Sequence, residues 1–278
     1  MPHPTPWLGF DALVDLLRGQ SIVVLSGAGV STESGIPDYR GPDTRSKDRT
    51  PIQHDEFVGN ADTRRHYWAR SAIGWPSFQA AAPNAGHHAL AHLEAARAVR
   101  GIITQNVDRL HQQGGSTRVV ELHGALAEVR CLACERVTAR SAVQERLLDA
   151  NPGWTDRAAA VAPDGDADLP RSATHAFTVP DCDACGGVLK PNVVFFGGSV
   201  PSGRVDAAWS LLQEADTLLV VGSSLTVYSG YRFVRGAHDA GQPIGIVNLG
   251  PTRGDALAQV QVDEKTGTLL PALAAALT

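Results

Sequence analysis

Two groups of side chains in this sequence are spaced to do chemistry. The first is a set of four thiols in two matched pairs, Cys131-Leu-Ala-Cys134 and Cys182-Asp-Ala-Cys185. In a reducing compartment, paired CxxC units read as a tetrahedral site for one structural Zn²⁺, with all four cysteines as ligands. A redox dithiol or a nucleic-acid zinc module fits poorly, because the pairs match and few basic residues surround them. Most of the chain between the pairs is a polar insert rich in Pro, Gly and Asp, Asn151–Thr178. Such an insert is tolerable because the cost of loop closure grows only logarithmically with length.

The second group lies in four polar loops, each after a β-branched run that reads as a buried strand. Gly27-Ala28-Gly29-Val30-Ser31 follows Ile22–Leu25, with Asp38-Tyr39-Arg40 behind it. Gln105-Asn106-Val107-Asp108 follows Ile102–Thr104, His123-Gly124 follows Val119–Leu122, and Gly222-Ser223-Ser224 follows Leu218–Val221. In an open α/β sheet, loops leaving the carboxyl ends of strands face the ligand crevice. Four polar loops of this kind imply a nucleotide pocket.

The first loop departs from the dinucleotide fingerprint, since Thr32 stands where the third glycine belongs. Its backbone can still approach a pyrophosphate, with Ser31 and Thr32 as donors near a helix N-terminus. The region where a dehydrogenase keeps its ribose-binding acid is here the polar loop around Asp48, with no strand before it, so ribose recognition falls to Asn248 after Ile244–Val247. Asn106 beside Asp108 suits recognition of a carboxamide; the alternative is capping of a helix through Arg109–Gln112 by Asp108. His123 stands at a strand end, where a general base would be needed, and neutral imidazole is available near pH 7. The other nine histidines, His87 and His88 included, read as surface or capping residues. Pro191–Gly198 is an apolar strand ending in two glycines: either core, or an edge that pairs with an extended peptide and offers an aromatic wall.

These groups need a frame. With 278 residues, 43% apolar content and a formal charge of −5, the chain is globular and carries no electrostatic footprint for nucleic acid. The N-terminus lacks a basic region followed by an apolar core, and the strictly apolar runs are too short to span a bilayer, so the cytoplasm is the default location. Leu13, Leu16 and Leu17 mark a short helix, and Pro37 ends the helical turn after the glycine loop. A charged, Trp-bearing stretch from Gly41 to Pro83 reads as a loop and a helical insertion around Arg64–Ser71, with no strand. Helices are expected over Gly86–Arg100, Val205–Ala215 and from Pro271 onward, and strands at Val193–Phe196 and Ile244–Val247. This alternation argues for a doubly wound, Rossmann-like parallel sheet with a small zinc-binding lobe and a helical insertion. Residues 1–41, 84–129 and 190–278 are assigned to the nucleotide-binding lobe, 42–83 to the cofactor loop and insertion, and 130–189 to the zinc lobe.

In combination, GAGVSTESGIPDYR (Gly27–Arg40), TQNVDRLH (Thr104–His111), ELHG (Glu121–Gly124), both CxxC pairs, PNVVFFGG (Pro191–Gly198), GSSLTV (Gly222–Val227) and VNLG (Val247–Gly250) resemble the sirtuin family of NAD-dependent protein deacylases. The resemblance covers nearly the whole chain. Arg49–His54 and Arg65–Arg70 look like the subgroup that includes mitochondrial sirtuins of weak deacetylase activity. It implies NAD⁺ as co-substrate, its phosphates at Gly27–Ser31 and Gly222–Ser224, its ribose at Asn248, and further cofactor contacts from Thr32, Tyr39, Gln105, Leu249, Gly250 and Thr266. Arg40 would belong to a mobile cofactor loop, and nicotinamide would enter a pocket of Ala28, Ile36, Asn106 and Asp108. Acylated-lysine proteins or peptides would lie along Val194, Phe195, Phe196 and Gly197, His123 would be the base, and the zinc would be remote from the chemistry. Two positions depart from the family pattern: Tyr39 replaces a common Phe, and Gly197-Gly198 replaces Gly-Glu. Mono-ADP-ribosyl transfer and a non-enzymatic ADP-ribose-binding zinc module are the competing readings. Neither acyl preference nor oligomeric state is specified by the sequence.

Overall fold

The computed structural model describes residues 7–38, 51–156 and 166–278. Tyr39, Arg40, Asp48 and Arg49, named above, lie outside the described residues. In chain order the elements begin with α1 (Phe10–Leu17), β1 (Ile22–Ser26), a 3₁₀ segment (Ala28–Ser34), α2 (His54–Gly59), α3 (Ala61–Gln79), α4 (Ala85–Ala95), β2 (Val99–Thr104), α5 (Leu110–Gln113) and β3 (Val119–Glu121). They continue with β4 (Gly124–Cys131), β5 (Val137–Ala139), α6 (Arg140–Asp149), β6 (Leu189–Val193) and α7 (Ser202–Gln213). Last come β7 (Thr217–Val221), α8 (Tyr228–Asp239), β8 (Ile244–Val247), β9 (Val260–Val262) and α9 (Thr266–Leu277). Among the described residues no helix is long and apolar enough to cross a membrane.

The chain divides into two compact units. The first contains residues 1–46, 82–122 and 200–278, and holds a six-stranded sheet in the order β3-β2-β1-β7-β8-β9. All five pairings are parallel. Numbered by appearance within this sheet the order is 3-2-1-4-5-6, the doubly wound arrangement expected. The central strands β1, β7 and β8 are buried at every position, near-continuous apolar runs covered on both faces. Ile22 and Val24 join Leu13, Leu90 and Leu273 in one core, while Val23 and Leu25 join Leu211 and Phe233 in another. α1 forms because Phe10, Leu13, Val14 and Leu17 share one helical face, and all four are buried.

The sheet changes direction between β1 and β7, and their loops meet backbone to backbone. Gly27 N–H donates to the Val221 carbonyl at 3.1 Å, and Gly29 N–H to the Gly222 carbonyl at 2.8 Å. A Cβ on Gly29 would stand 2.9 Å from Gly222 Cα, and one on Gly27 2.7 Å from Ser223 Cβ. Gly222 has φ +57°, and its Cβ would stand 2.5 Å from Val30 N. The glycine pattern is therefore required by loop-to-loop packing at the switch point, before any ligand is considered.

The second unit contains residues 47–81 and 123–199. Its antiparallel sheet runs β5-β4-β6, covered by α3 and α6. Trp68 Nε1 donates to the Leu189 carbonyl at 3.2 Å, and the Arg140 guanidinium lies 5.3 Å from the Trp68 ring and 5.1 Å from Trp75. Burial lowers the Arg140 pKa to about 10.

Several boundaries differ from the sequence reading. The strand expected at Val193–Phe196 is instead β6, Leu189–Val193, because it pairs with β4 across the Cys131–Leu189 register. The two compact units meet in the chain at Leu122/His123 and Ser199/Val200. The helix expected from Pro271 begins at Thr266, with Pro271 inside its second turn. The helix expected over Gly86–Arg100 stops at Ala95, Arg97 turns at φ +65°, and Val99 opens β2. The 3₁₀ segment ends at Gly35, φ +85°, before Pro37. The insertion around Arg64–Ser71 is longer than expected, spanning α2 and α3.

Gly222→Ala tests the switch-point packing. With a positive φ and a backbone nitrogen in the way, it is expected to lower stability by about 1–3 kcal/mol, as overpacking does. The measurement is thermal unfolding against wild type; an unchanged Tm would refute the packing argument.

Candidate functional site

In the first unit, the loops after β1, β2 and β7 share one hydrogen-bonded cluster. Asn106, buried, donates from Nδ2 to Ser31 Oγ at 3.1 Å. Ser31 in turn donates to Asp108 Oδ2 at 2.7 Å. Asp108 Oδ1 accepts the Leu110 N–H at 2.9 Å, so the capping role and the cluster coexist in one carboxylate. Withdrawal from water raises the Asp108 pKa against the opposing pull of the Leu110 N–H and the Ser31 hydroxyl, and Glu121 adds to the rise. Arg109, at φ +62°, immediately precedes α5 and pairs with Glu121 at 3.0 Å.

Gln105 ties the β1 and β7 loops together. Its Nε2 donates to Ser223 Oγ at 2.8 Å and to the Ser26 carbonyl at 3.3 Å. Gly230 makes room for it, since a Cβ there would stand 2.4 Å from Gln105 Oε1. Ser223 is buried and also accepts the Leu225 N–H, whereas Ser224 Oγ bonds Thr226 at 3.1 Å. Ala28 is half-buried, Ile36 is buried, and Thr32 is exposed with its hydroxyl donating to the Gly29 carbonyl. At the far side, Asn248 Nδ2 donates to the Leu249 and Gly250 carbonyls and so shapes its own turn, leaving Leu249 exposed. Thr266 is the first, buried residue of α9, and the neighbouring Gly267 N–H is held by Glu33 of the 3₁₀ segment at 2.8 Å.

One buried group escaped the sequence reading. His111 is fully enclosed rather than on the surface, with Nε2 2.8 Å from Ser26 Oγ. His87 caps α4 as expected but is buried too, its ring 5.0 Å from that of His111. No local spacing marks His111 out, because it is adjacent to Leu110 in a helix of four residues. Asn84 was likewise missed; it caps α4 and donates to the Val30 carbonyl at 2.7 Å.

In the second unit, His123 is half-buried and its carbonyl accepts the Val194 N–H at 2.8 Å. Val194–Gly197 leave the β6 ladder: Phe196 bridges Gln53, its carbonyl accepts the His54 N–H at 2.8 Å, and Gly197 turns at φ +76°. Phe195 packs into an aromatic core, 5.1 Å from Phe57 and 5.4 Å from Tyr67, so it supports the segment from within, while Val194 and Phe196 are half-buried.

The four cysteine Sγ atoms lie within 4.8 Å of one another. Cys131 and Cys185 are 3.6 Å apart, and Cys134 and Cys182 3.8 Å. A zinc tetrahedron with bonds of about 2.3 Å has sulfur–sulfur edges of roughly 3.8 Å, far from the ~2.05 Å of a disulfide. The two knuckles repeat one backbone pattern. Glu135 N–H bonds the Cys131 carbonyl and Gly186 N–H the Cys182 carbonyl, with Glu135 at φ +59° and Gly186 at φ +71°. A Cβ on Gly187 would stand 2.8 Å from Cys131 Sγ, so the knuckle closes only around glycine. This donor set fits one Zn²⁺.

Residues 27–229 match the Sir2 family. The chain belongs to that family. It is 54% identical over 253 residues to a Xanthomonas campestris NAD-dependent protein deacetylase, covering 91% of this chain and 86% of the relative. It is also 47% identical over 275 residues to the Bos taurus NAD-dependent protein lipoamidase sirtuin-4, mitochondrial, covering 96% and 87%. A solved structure of Sir2 with a peptide and NAD⁺ superposes with a TM-score of 0.77 at 31% identity, covering 96% of this chain and 97% of that one.

Two outcomes are expected. Metal analysis should find about one zinc per chain, and Cys182→Ser should lose it and destabilise the second unit; folded, zinc-free wild type would refute the site. Burial pushes the pKa of His111 to about 3 and of His87 to about 4, both below the ordinary 6.5. Unfolding therefore takes up protons there, so the stability is complete above pH 6.5 and drains as pH falls through the folded values, at up to about 1.4 kcal/mol per pH unit for each group. In thermal scans, the advantage of wild type over His87→Asn should shrink from pH 7 to pH 5; a constant difference would mean that folding leaves the His87 pKa unshifted.

Proposed function

We propose that this Sir2-family chain is an NAD⁺-dependent protein-lysine deacylase, acting on acylated-lysine proteins or peptides. The observation that carries this reading is the Asn106–Ser31–Asp108 cluster at the carboxyl ends of β1 and β2. It adjoins the point where the strand order reverses, the place for a dinucleotide in such sheets. NAD⁺, consumed as co-substrate, supplies a ribose carbon with nicotinamide as leaving group, and with one water taken up the products are nicotinamide, free lysine and O-acyl-ADP-ribose.

The residues divide the work. The backbone of Gly27–Ser31 and the Gly222–Ser224 loop hold phosphates, with Thr32 as a further donor. Asn248, Leu249, Gly250 and Thr266 receive the adenosine end, and Gln105 keeps the two phosphate loops together. Asn106 aims its amide at the carboxamide of nicotinamide, flanked by Ala28 and Ile36. Asp108 fixes Ser31, and so fixes the Asn106 side chain. Val194–Gly197 receive the extended peptide. His123 takes the proton from a ribose hydroxyl. The neutral imidazole needed for this is available near pH 7. Zinc holds the knuckles and takes no part in bond making. A site built from four cysteine thiolates fits a reducing compartment such as the cytoplasm.

The roles of His123 and Asn106 separate kinetically. His123→Ala is expected to slow formation of free lysine by ~10²–10⁴, while nicotinamide exchange survives better, because the acyl oxygen attacks without losing a proton. Asn106→Ala should suppress both. Mass spectrometry across a panel of acyl-lysine peptides with labelled NAD⁺ reads both steps. Label retained on protein with no free lysine would favour mono-ADP-ribosyl transfer, and equal loss of both steps in His123→Ala would give the histidine an earlier or structural role.

A further inference from the structure

The buried histidine of α5 is bonded into the cluster just described. The Ser26 hydroxyl donates to Thr104 Oγ1 at 2.8 Å, so its hydrogen is committed. Its 2.8 Å contact with His111 Nε2 must then be accepted by Ser26 and donated by the ring, which fixes the neutral Nε2–H tautomer. Thr104 Oγ1 also accepts the Asn106 backbone N–H at 3.1 Å. From Asn106 the bonds continue through its side chain to Ser31 and on to Asp108. One unbroken path therefore links His111 to Asn106 and Asp108.

An apolar residue would fill the His111 position at lower cost. The ring is 1% exposed, and its Nδ1 has no hydrogen-bond partner among the described residues. Burying an unpartnered polar atom is unfavourable. What the imidazole adds over a phenylalanine is a single directed donor, and that donor goes to Ser26. Without it Ser26 loses the reason to present its hydrogen to Thr104, and the Thr104 oxygen is no longer oriented toward the Asn106 N–H.

We propose that His111 is a positioning residue for Asn106, acting through Ser26 and Thr104 to fix the Asn106 backbone and hence the aim of its carboxamide. The proposal rests on the reading of Asn106 as the nicotinamide-facing group. It adds a residue that touches neither co-substrate nor peptide.

The test compares His111→Phe, which keeps the ring volume and removes the donor, with His111→Gln, whose amide nitrogen reaches about as far as Nε2. A displacement near 1 Å costs up to ~10² in rate, so the phenylalanine variant should lower kcat for both nicotinamide exchange and deacylation by roughly 10- to 100-fold. KM for NAD⁺ should change by less than about threefold, since the phosphate loops are untouched. The glutamine variant should stay within about threefold of wild type. In an Asn106→Ala background, His111→Phe should cost nothing further, because effects along one path are non-additive. A readout independent of turnover is the Asn106 backbone amide by NMR: its hydrogen exchange should accelerate at least about tenfold in His111→Phe and stay slow in His111→Gln.

A folded His111→Phe with wild-type rates and an unchanged Asn106 amide would overturn the proposal. So would a glutamine variant as impaired as the phenylalanine one, or additive losses in the double variant. If His111→Phe does not fold, Ser26→Ala breaks the same path one bond further on and is read identically. Absence of NAD⁺ turnover by wild type would count against the functional reading, while the amide exchange would still decide the positioning.

Discussion

The contact on which the first unit depends is the backbone-to-backbone seating of the β1 loop on the β7 loop. Gly29 N–H reaches the Gly222 carbonyl at 2.8 Å, and neither loop has space for a Cβ at the crossing. Parallel strands already fix where the two loops begin, through the Ser26–Val221 register. The glycines let the loops continue in contact rather than splay apart. The loop backbone is thereby fixed at the carboxyl ends of the two strands, with the Gly27 and Gly29 N–H groups spent on the crossing itself. The unusual third position, Thr32, costs little in this arrangement, because its hydroxyl bonds back to Gly29 within the loop.

Around that seat the polar side chains are used mainly on one another. Gln105 spans Ser26 and Ser223, Ser31 spans Asn106 and Asp108, and Asn84 spans the Val30 carbonyl and the start of α4. In a low-dielectric setting such paired groups are strong and rigid, and an unpaired member is expensive. The consequence is a preorganised site: few of these amides and hydroxyls are at liberty to adjust when a ligand arrives. A carboxyl whose pKa is raised by burial, as at Asp108, belongs to the same picture, since its charge is stabilised chiefly by the Leu110 N–H and the Ser31 hydroxyl.

Much of this was legible in the residues. The β-branched runs located β1, β2, β3, β7 and β8, and the signature is plainest in β1, β7 and β8, which are buried throughout. The CxxC spacing identified the four thiols that come together. The antiparallel sheet was not legible: β4 mixes Glu128 and Arg130 with buried Ala125 and Val129, and β6 carries Lys190, Pro191 and Asn192. Lys190 is buried there because its ammonium reaches the Pro191 and Val193 carbonyls and lies 4.3 Å from the Phe195 ring centroid, compensation that no local pattern announces. His111 was misread for a related reason. A histidine in a four-residue helix looks like surface until its long-range partner, Ser26, is known. Local periodicity finds what faces the core, whereas buried polar residues are justified by partners far along the chain.

His123 shows how such partners bear on function. Its carbonyl accepts the Val194 N–H at 2.8 Å, and Val194 begins the segment assigned to the peptide. That segment is fixed further along by the Phe196 carbonyl on His54 and by Phe195 wedged between Phe57 and Tyr67. The proposed base and the proposed peptide seat are thus neighbours in one bonded framework within the second unit. Proton abstraction demands hydrogen-bond reach between the base and a hydroxyl of a bound intermediate. A peptide that docks on Val194–Gly197 therefore docks against the backbone that carries the imidazole. Changes that loosen Phe195 or Lys190, without touching His123, should disturb peptide seating and base placement together rather than one alone.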